Sequence, residues 1–352
     1  MKKKIFFIVA SLGAGGSERV FWILSQGFNK KLYDVSVVFL DSSDKCFSMD
    51  IEDVDFIDLK TSKASLSFFK LLKLIKKEKP FAVFSTTDHI NILVALVSLF
   101  VTIPNLIARA SNIPKQMRHF DGLKAKFWNL FTQFSYKKFH VVVCQSKEMK
   151  EAIAEEFDIP DEKLVIIPNP VLYTGFIKEK ITSSVQKKLI IVARLAKEKG
   201  FDRLLNIFKE LPENYTLTIV GDGPLRTEII SNVKSLKIEN RIFFSGQITE
   251  VNSLITKHDL MVLSSFTEGF PNVVLESLSV GIPVVTFRVG GVSGLIRNGF
   301  NGFIVEQDNL EDFKRQILKA CSKKWDSLAI KEDVYQKCAL DKVAVKYENL
   351  MA

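Results

Sequence analysis

The sequence predicts an α/β protein built from two Rossmann-like domains, and three observations support this prediction. The chain has 352 residues, about twice the length of a typical single domain. Apolar residues make up 47% of it and charged residues 25%, which is enough for a large core and argues against disorder. Each half repeats apolar, strand-like runs followed by glycine turns and helical patterns, as in parallel sheets covered by helices.

Five strands are predicted in each half. In the first half they span residues 5–10, 35–40, 82–85, 106–109 and 141–144, and helical segments such as residues 65–79 connect them. In the second half they span residues 189–192, 216–220, 242–245, 260–263 and 284–287. Five strands per half are enough for two separate parallel sheets.

A segment rich in proline, glycine and serine separates the halves. Residues 166–186 have weak periodicity, which is typical of a linker. We therefore expect an N-terminal domain over residues 1–170, a C-terminal domain over residues 171–334 and a final segment over residues 335–352. Apolar side chains at helical spacing predict one amphipathic helix over residues 335–350, at Ala339, Val343, Tyr347 and Leu350.

The cysteines and the apolar runs predict a cytoplasmic protein. The four cysteines stand far apart without a C-x-x-C spacing, which argues against a zinc site or a disulfide framework. The apolar run at residues 5–10 is short for a signal peptide and is better explained as a buried strand. Residues 90–103 are interrupted by polar side chains and fall short of the roughly 20 apolar residues that span a bilayer.

The net charge of +9 is concentrated in one segment. Residues 101–150 hold nine Lys or Arg against two Asp or Glu, whereas residues 151–175 hold one against six. Within residues 115–140, basic and aromatic side chains interleave at helical spacing, which suits a peripheral contact with the anionic cytoplasmic face of a membrane. A core helix with a solvated basic face explains the pattern equally well. No nucleic-acid partner is expected, because no nucleic-acid-binding motif accompanies the patch.

The most specific motif follows an apolar strand and covers residues 264–276. It contains Glu268 and Glu276, and Pro271 stands where a helix would begin. Such a helix starts at the carboxyl end of a parallel strand, where open α/β sheets bind their ligands and where its positive end faces a phosphate. Carboxylates at these two positions are suited to accept hydrogen bonds from the hydroxyl groups of a ribose and a sugar.

A second motif, residues 192–200, also follows a strand. Arg194 and Lys199 lie in this strand-to-helix connection, where two cations are suited to converge on a diphosphate. Taken alone, a lysine-rich loop is more often a solvated turn. Its combination with the glutamate motif favours the diphosphate interpretation.

Together these segments resemble the retaining glycosyltransferases of the GT-B fold, in particular glycosyltransferase group 1, or family 4. In that family the two glutamates are separated by seven residues, as they are here. The resemblance covers nearly the whole chain. Its further motifs are Gly15-Gly16-Ser17-Glu18-Arg19, Gln145-Ser146, Asn169-Pro170, Gly221-Asp222-Gly223-Pro224, Ser245-Gly246, Gly290-Gly291 and Asn301-Gly302-Phe303.

The resemblance implies two domains that face each other across a cleft, with the final helix crossing back onto the N-terminal domain. It implies that Glu276 holds the ribose and that Glu268 contacts the donor sugar. Arg194 and Lys199 would hold the diphosphate, so no metal and no other cofactor is expected. The donor site would also include Gly16, Gly246, Gln247, Ile248, Gly269, Phe270, Pro271, Asn272 and Val273.

The acceptor is expected on the N-terminal domain. His89 and Arg109 each follow a predicted strand, and the family places the loop after the first of these strands at the acceptor. His89 is therefore a candidate catalytic residue, and both are candidates for contact with the acceptor. A structural role is the alternative for each of them.

Two other motifs in the N-terminal half are interpreted as structural. Asp53 and Asp55 form a D-x-D, the metal motif of the other major glycosyltransferase fold. They alternate with apolar side chains and are better explained as exposed acids of an edge strand. A dinucleotide fingerprint is absent, because Glu18 stands where its last glycine is required.

These expectations converge on an enzyme, a retaining glycosyltransferase. It would move a sugar from a nucleotide diphosphate, UDP by preference, to a hydroxyl of a glycan such as a lipid-linked precursor of a cell-surface polysaccharide. One alternative is a nucleotide-sugar-binding protein without transferase activity, which the four matching charged positions disfavour. The other is a nucleotide-sugar epimerase on the same fold, which needs acid and base histidines, and the chain holds four histidines in all.

Overall fold

A computed structural model describes residues 2–13, 15–61, 64–111, 124–178, 185–248 and 250–351, with the backbone alone at residues 42–45, 64 and 124–128. The chain divides into two compact units. The first comprises Met1–Leu172 together with Cys338–Ala352, and the second comprises Tyr173–Lys337. These divisions fall two and three residues beyond the boundaries that the sequence predicts, after residues 170 and 334.

The first unit contains a seven-stranded parallel sheet in the order β3-β2-β1-β4-β5-β6-β7. Its strands are β1 Lys3–Leu12, β2 Tyr33–Lys45, β3 Val54–Asp58, β4 Ala82–Thr86, β5 Asn105–Arg109, β6 Val141–Cys144 and β7 Leu164–Ile166. Its helices before the second unit are α1 Gly16–Gly27, α2 Ala64–Glu78, α3 Asp88–Val97, α4 Lys124–Lys138 and α5 Lys147–Phe157.

The second unit contains a six-stranded parallel sheet in the order β10-β9-β8-β11-β12-β13. Its strands are β8 Lys187–Val192, β9 Tyr215–Val220, β10 Ile242–Gly246, β11 Leu260–Leu263, β12 Val284–Phe287 and β13 Gly302–Val305. Its helices are α6 Phe201–Lys209, α7 Arg226–Ser235, α8 Val251–Ile255, α9 Asn272–Ser279, α10 Val292–Leu295, α11 Leu310–Ser322 and α12 Ser327–Cys338.

Each predicted strand is present, and the prediction of two Rossmann-like parallel sheets is confirmed. The sequence does not predict β7 and β13, and it indicates β3 only through the edge-strand interpretation of Asp53 and Asp55. All three strands lie at an edge of their sheet, where they are three to five residues long. An edge strand needs fewer apolar residues than a central one, so its sequence pattern is weaker.

The central strand β1 shows how the first sheet is buried on both faces. Phe6 and Ile8 pack into a core with α2 and α3, while Ile5, Phe7 and Val9 pack into a second core with α1. This alternation follows from the two-residue period of a strand. One core on the second sheet includes side chains of α6 and α11. Among the described residues, no helix combines the length and apolar character needed to cross a membrane.

The sequence predicts one helix over residues 335–350, and this prediction is wrong. Helix α12 ends at Cys338, and a further helix, α13, spans Leu340–Glu348. Ala339 between them is extended, at φ −56° and ψ 141°, and forms a bridge with Val171. Hydrogen bonds from Val171 N to Cys338 O at 2.8 Å and from Leu340 N to Val171 O at 3.2 Å complete it. Helix α13 then packs against α1 in the first unit.

Candidate functional site

The second sheet has a topological switch point between β8 and β11. From β8 the chain proceeds to β9 and β10 on one side, and from β11 to β12 and β13 on the other. The loops that leave the carboxyl ends of β8 and β11 therefore diverge and leave a crevice at this edge, which is where open α/β sheets bind ligands. The two predicted motifs supply these two loops, residues 193–200 and residues 264–271.

Lys199 and Glu268 meet at the switch point. The ammonium Nζ of Lys199 lies 2.8 Å from Glu268 Oε1 and 2.9 Å from Oε2, which is a bidentate ion pair. Their side chains are 19% and 14% exposed, so the pair is partly desolvated but still reachable by a ligand. Charge-assisted hydrogen bonds of this kind are short and directional.

Two serines at the end of β11 fix the geometry of this pair. Ser265 Oγ donates to Glu268 Oε1 at 2.6 Å, and Ser264 Oγ donates to the backbone carbonyl of Lys199 at 2.8 Å. Gly200 makes the close approach possible, because a Cβ there would lie 2.3 Å from Ser264 O and the residue has a φ of +64°. Only glycine adopts this conformation without strain.

Arg203, which the sequence does not predict as a site residue, lies on α6 beneath the same loop. Its guanidinium donates from Nε to Ser264 O at 2.7 Å and from Nη2 to Ser265 O at 2.6 Å. Burial lowers the pKa of this side chain to about 10. The sequence holds no clear signal for this role, because an arginine in the first turn of a helix looks like any solvated charge.

Arg194 is exposed on the loop after β8. The following residue anchors this loop, because Leu195 N donates to Asp222 O at 2.9 Å and Leu195 O accepts from Leu225 N at 2.9 Å. The Gly221-Asp222-Gly223 motif thus supports the backbone next to Arg194. Arg194 therefore lies at the same edge of the sheet as Lys199.

Helix α9 begins one residue after Pro271, as the sequence predicts, and carries Glu276 half-buried in its second turn. Asn272 and Val273 form the first turn, so their backbone amides belong to the positive end of the helix. The loop before it is held by Phe270. A Cβ on Gly291 would lie 2.5 Å from the Phe270 ring, so this glycine, at φ +78°, allows the ring to pack on the backbone.

Gly246, Gln247 and Ile248 lie at the end of the edge strand β10. Gly246 has a φ of +65°, and its carbonyl accepts from Gly221 N at 2.7 Å. Gln247 is exposed. Because the strands are parallel, this segment lies at the same carboxyl edge as Arg194, Lys199 and Glu268.

The first unit has its own switch point, between β1 and β4. Gly16 starts α1 after β1, and His89 is the second residue of α3 after β4. The His89 residue is exposed, yet neighbouring protein partly desolvates its imidazole and lowers its pKa. Beside it, Asp88 accepts a hydrogen bond from Tyr136 Oη at 3.2 Å, and burial raises the pKa of this carboxyl group.

Arg109, for which the sequence leaves acceptor contact and a structural role open, is buried with 3% exposure. Its Nη2 donates to Asn169 Oδ1 at 2.7 Å and its Nη1 donates to Thr86 Oγ1 at 3.1 Å. Tyr347 of α13 and Glu18 of α1 also interact with the guanidinium and oppose the lowering of its pKa by burial. This geometry favours a positioning role over direct contact with an acceptor.

The remaining sequence interpretations have mixed outcomes. Asp53 and Asp55 are exposed on the edge strand β3 or next to it, as predicted. Among the described residues, no three His, Cys, Asp or Glu side chains are grouped as metal ligands. Much of the basic aromatic segment at residues 115–140 lies outside the described residues, which resume at Lys124 with backbone alone until Asn129.

Two Rossmann-like units of this topology define the GT-B fold. A family description for glycosyl transferases group 1 matches residues 175–337, and one for glycosyltransferase family 4 matches residues 14–171. The chain therefore belongs to the group 1, or family 4, glycosyltransferases, and it is a glycosyltransferase.

Similar proteins act on lipid-linked glycans. The chain is 27% identical over 323 residues to a Campylobacter jejuni α-1,4-N-acetyl-D-galactosaminyltransferase named for a diNAcBac-PP-undecaprenol-linked acceptor, covering 87% of this chain and 85% of that protein. It is 25% identical over 306 residues to an Escherichia coli UDP-Gal:α-D-GlcNAc-diphosphoundecaprenol α-1,3-galactosyltransferase, covering 81% and 77%. A crystal structure of Anabaena HepE with UDP and glucose aligns at a TM-score of 0.79 and 18% identity, covering 99% and 98%.

Proposed function

We propose that this glycosyltransferase moves a sugar from a UDP-sugar to a hydroxyl group of a lipid-linked glycan, with retention of configuration at the anomeric carbon. The observation that carries the proposal is the Lys199–Glu268 pair at the switch point of the second sheet, with Arg194 on the same loop as Lys199. A partly exposed cation and carboxylate at this position suit a ligand that has both phosphate and sugar hydroxyl groups.

In the proposed reaction the bond from the anomeric carbon to the diphosphate breaks, and a bond to the acceptor oxygen forms. Negative charge grows on the departing diphosphate, and Arg194 and Lys199 stabilise it together with the N-terminus of α9. Glu268 hydrogen-bonds the donor sugar, and Glu276 holds the ribose. His89 contacts the acceptor side. No carboxylate of the chain is assigned as a covalent nucleophile.

The names of the relatives support the substrate classes. The Escherichia coli relative is named for UDP-Gal and for a diphosphoundecaprenol-linked acceptor, and both relatives are named for α products. The sugar in UDP-galactose is itself α-linked, so an α product retains the configuration. We extend these chemical classes, but not the particular sugars, to this chain.

A panel of labelled UDP-sugars with undecaprenyl-diphosphate-linked glycans tests the proposal and separates its rivals. A labelled lipid with an α linkage supports it. Isomerised nucleotide sugar without a labelled lipid would indicate an epimerase. Binding without turnover of any donor would indicate a nucleotide-sugar-binding protein. A thermal-shift screen of the same nucleotides identifies the donor independently, because a ligand at 100 times its Kd stabilises by about 2.7 kcal/mol.

We also propose that the transfer needs no metal ion. In this proposal Arg194, Lys199 and the N-terminus of α9 stabilise the leaving group, a role for which another glycosyltransferase fold uses a metal. The reaction should therefore proceed at full rate in EDTA. Loss of activity in EDTA that magnesium or manganese restores would contradict metal independence. It would make Asp53 and Asp55 candidate metal ligands.

We also propose that the first unit contacts an anionic membrane through the face that carries α2, α3 and α4. Helix α3 packs against both α2 and α4. Exposed apolar side chains lie on these helices or just after them, with Phe69 78%, Leu66 61%, Phe100 61% and Leu130 63% exposed. Helix α2 adds Lys70, Lys73, Lys76 and Lys77. Exposed apolar groups flanked by lysines suit an interface with anionic lipid, where a lipid-linked acceptor resides.

Flotation with anionic phosphatidylglycerol vesicles tests the membrane contact. Replacing Lys124, Lys126, Lys137 and Lys138 with Gln should release the protein, because each lysine contributes about 1 kcal/mol near such a surface. Replacing four exposed lysines of the second unit (Lys209, Lys234, Lys237 and Lys257) is the matched control. Equal binding of both variants would favour a solvated basic face without a membrane role.

A further inference from the structure

Arg203 is buried in the second unit, where its guanidinium has both ring contacts and hydrogen bonds. It is 7% exposed, and its guanidinium lies between two aromatic rings, 3.8 Å from the centre of Phe266 and 3.9 Å from that of Phe287. Besides its two bonds to the carbonyls of Ser264 and Ser265, its Nη1 donates to Gln307 Oε1 at 2.9 Å. The rings fix the plane of the guanidinium, which donates hydrogen bonds to two consecutive backbone carbonyls.

These two carbonyls belong to the residues that orient the charged pair. The hydroxyl of Ser265 bonds Glu268, and the hydroxyl of Ser264 bonds the backbone of Lys199. A shift of this dipeptide would therefore move Glu268 relative to Lys199. Gln307 strengthens the same arrangement, because its amide donates to Ser265 O and to Phe266 O, both at 3.3 Å.

We propose that Arg203 is a positioning residue of the transferase reaction, which holds the Ser264–Ser265 backbone where Ser265 directs Glu268 towards Lys199 and the donor sugar. The inference rests on the donor site proposed above. Arg203 acts through the loop and has no contact with the sugar. A lysine at this position keeps one positive charge but cannot hold two carbonyls in one plane, so it should lower kcat without abolishing the fold.

Arg241 is the matched control. It is 5% exposed in the same unit, donates from Nη1 to Leu211 O and Pro212 O at 3.0 Å each, and stacks on Phe208 at 4.9 Å. It directly precedes β10 and therefore lies at the amino edge of the sheet, opposite the site. Arg203→Lys and Arg241→Lys thus remove the same kind of interaction at opposite edges.

The experiment compares both variants of the full chain by melting temperature, by UDP binding in calorimetry and by kcat with the UDP-sugar that gives a product. Both substitutions should lower the melting temperature. Arg203→Lys should lower kcat by about 10- to 100-fold, as small misplacements at a reacting centre do. UDP lacks the transferred sugar that Glu268 is proposed to contact, so its Kd should change by less than about threefold. Arg241→Lys should leave kcat within about twofold.

A double-mutant cycle with Ser265→Ala provides the second readout. If Arg203 acts through Ser265, the losses in log kcat are less than additive in the double variant. Fully additive losses, or equal losses of kcat in Arg203→Lys and Arg241→Lys, would overturn the inference. If Arg203→Lys does not fold, Gln307→Ala carries the test. It removes a donor to Ser265 O and the side-chain acceptor of Arg203 Nη1, and an unchanged kcat in a stable Gln307→Ala variant would overturn the inference as well.

Glu268→Gln distinguishes failure of this inference from failure of the proposed site. Loss of activity in Glu268→Gln with full activity in Arg203→Lys would remove the positioning role and leave the donor site intact. Full activity in both variants would remove the donor site itself.

Discussion

The two units share one architecture but use their charged residues in opposite ways. In the second unit, Lys199 and Glu268 meet at the switch point with 19% and 14% of their side chains exposed. In the first unit, the cation near the switch point is Arg109, which is 3% exposed and bound to Thr86 and Asn169. The second unit thus keeps this charged pair accessible at the edge of its sheet, whereas in the first unit Arg109 is buried and joins parts of the fold.

This difference indicates how one sheet topology serves two purposes. A partly exposed ion pair is partly screened by solvent, and it can exchange its partner for a phosphate or a hydroxyl group. A buried guanidinium cannot exchange partners, and removing it leaves its acceptors unsatisfied. We therefore expect substitutions of the Lys199–Glu268 pair to reduce activity and substitutions at Arg109 to reduce stability.

The largest expected effect is at Lys199. Lys199→Ala should lower kcat by about 10²- to 10³-fold, as loss of a group that stabilises transition-state charge does. The free energy of unfolding should fall by about 1–2 kcal/mol, less than in Arg109→Met, because Glu268 keeps its hydrogen bond from Ser265 and some contact with solvent. Lys197→Ala, in the same short turn but exposed, is the control and should keep its activity. A large loss of stability in Lys199→Ala would erase the contrast between the units.

Arg109→Met should produce the opposite profile. The free energy of unfolding, measured with urea, should fall by about 2–4 kcal/mol, because Thr86 and Asn169 lose a buried donor. At a temperature where the variant is fully folded, UDP binding should remain as in the wild type. A stable Arg109→Met variant with reduced acceptor affinity would instead support direct contact between Arg109 and the acceptor.

Glu276→Gln tests the proposed contact between Glu276 and the ribose in the second unit. The substitution keeps the size of the side chain and removes its charge, so donor binding should weaken by about 1.5–3 kcal/mol, as for a hydrogen bond to a charged group. Titration calorimetry with UDP and with uridine measures this loss, and both ligands should lose affinity because both contain the ribose. Glu228→Gln, exposed on α7, should bind normally. An unchanged Kd in Glu276→Gln would remove the ribose role.

The smallest expected effect concerns His258, which is buried in the second unit and hydrogen-bonds Leu254 O and Thr218 Oγ1. Burial lowers its pKa. The unfolded chain therefore takes up a proton more readily, and stability is lost as the pH falls through the ordinary histidine range near 6.5. In His258→Gln the loss of stability between about pH 7.5 and pH 5.5 should be smaller. An identical pH dependence would show that His89 and His140, whose pKa values are also lowered, account for it.

The sequence predicts the central strands and the site loops well because they carry strong local signals. The strands are continuous apolar runs, and Glu268 follows one of them at a fixed spacing from Pro271 and Glu276. The edge strands β7 and β13 and the break at Ala339 depend on contacts between residues distant in sequence. Ala339 is extended because Val171 pairs with it, and no local pattern near residue 339 reports that pairing.

Arg203 and Arg109 illustrate the same limit at the site. In the sequence, each of them is one of 49 Lys and Arg residues. Their roles come from the carbonyl and side-chain oxygens that the fold brings to them, including one 104 residues away for Arg203 and one 92 residues away for Arg109. Burial and partners are properties of the folded chain, so these two residues were distinguishable only in three dimensions.

The return of α13 to the first unit affects how the protein is made. The ribosome synthesises the sheet of the first unit, then the whole second unit, and only afterwards residues 338–351, which cover α1 and bring Tyr347 to within 5.8 Å of the ring of Phe84. Domains usually complete their folding in the order in which they emerge. Here the second unit emerges complete while the first still exposes an apolar face. During that interval this apolar face stays uncovered, and a chain released before residue 338 lacks the helix that covers it.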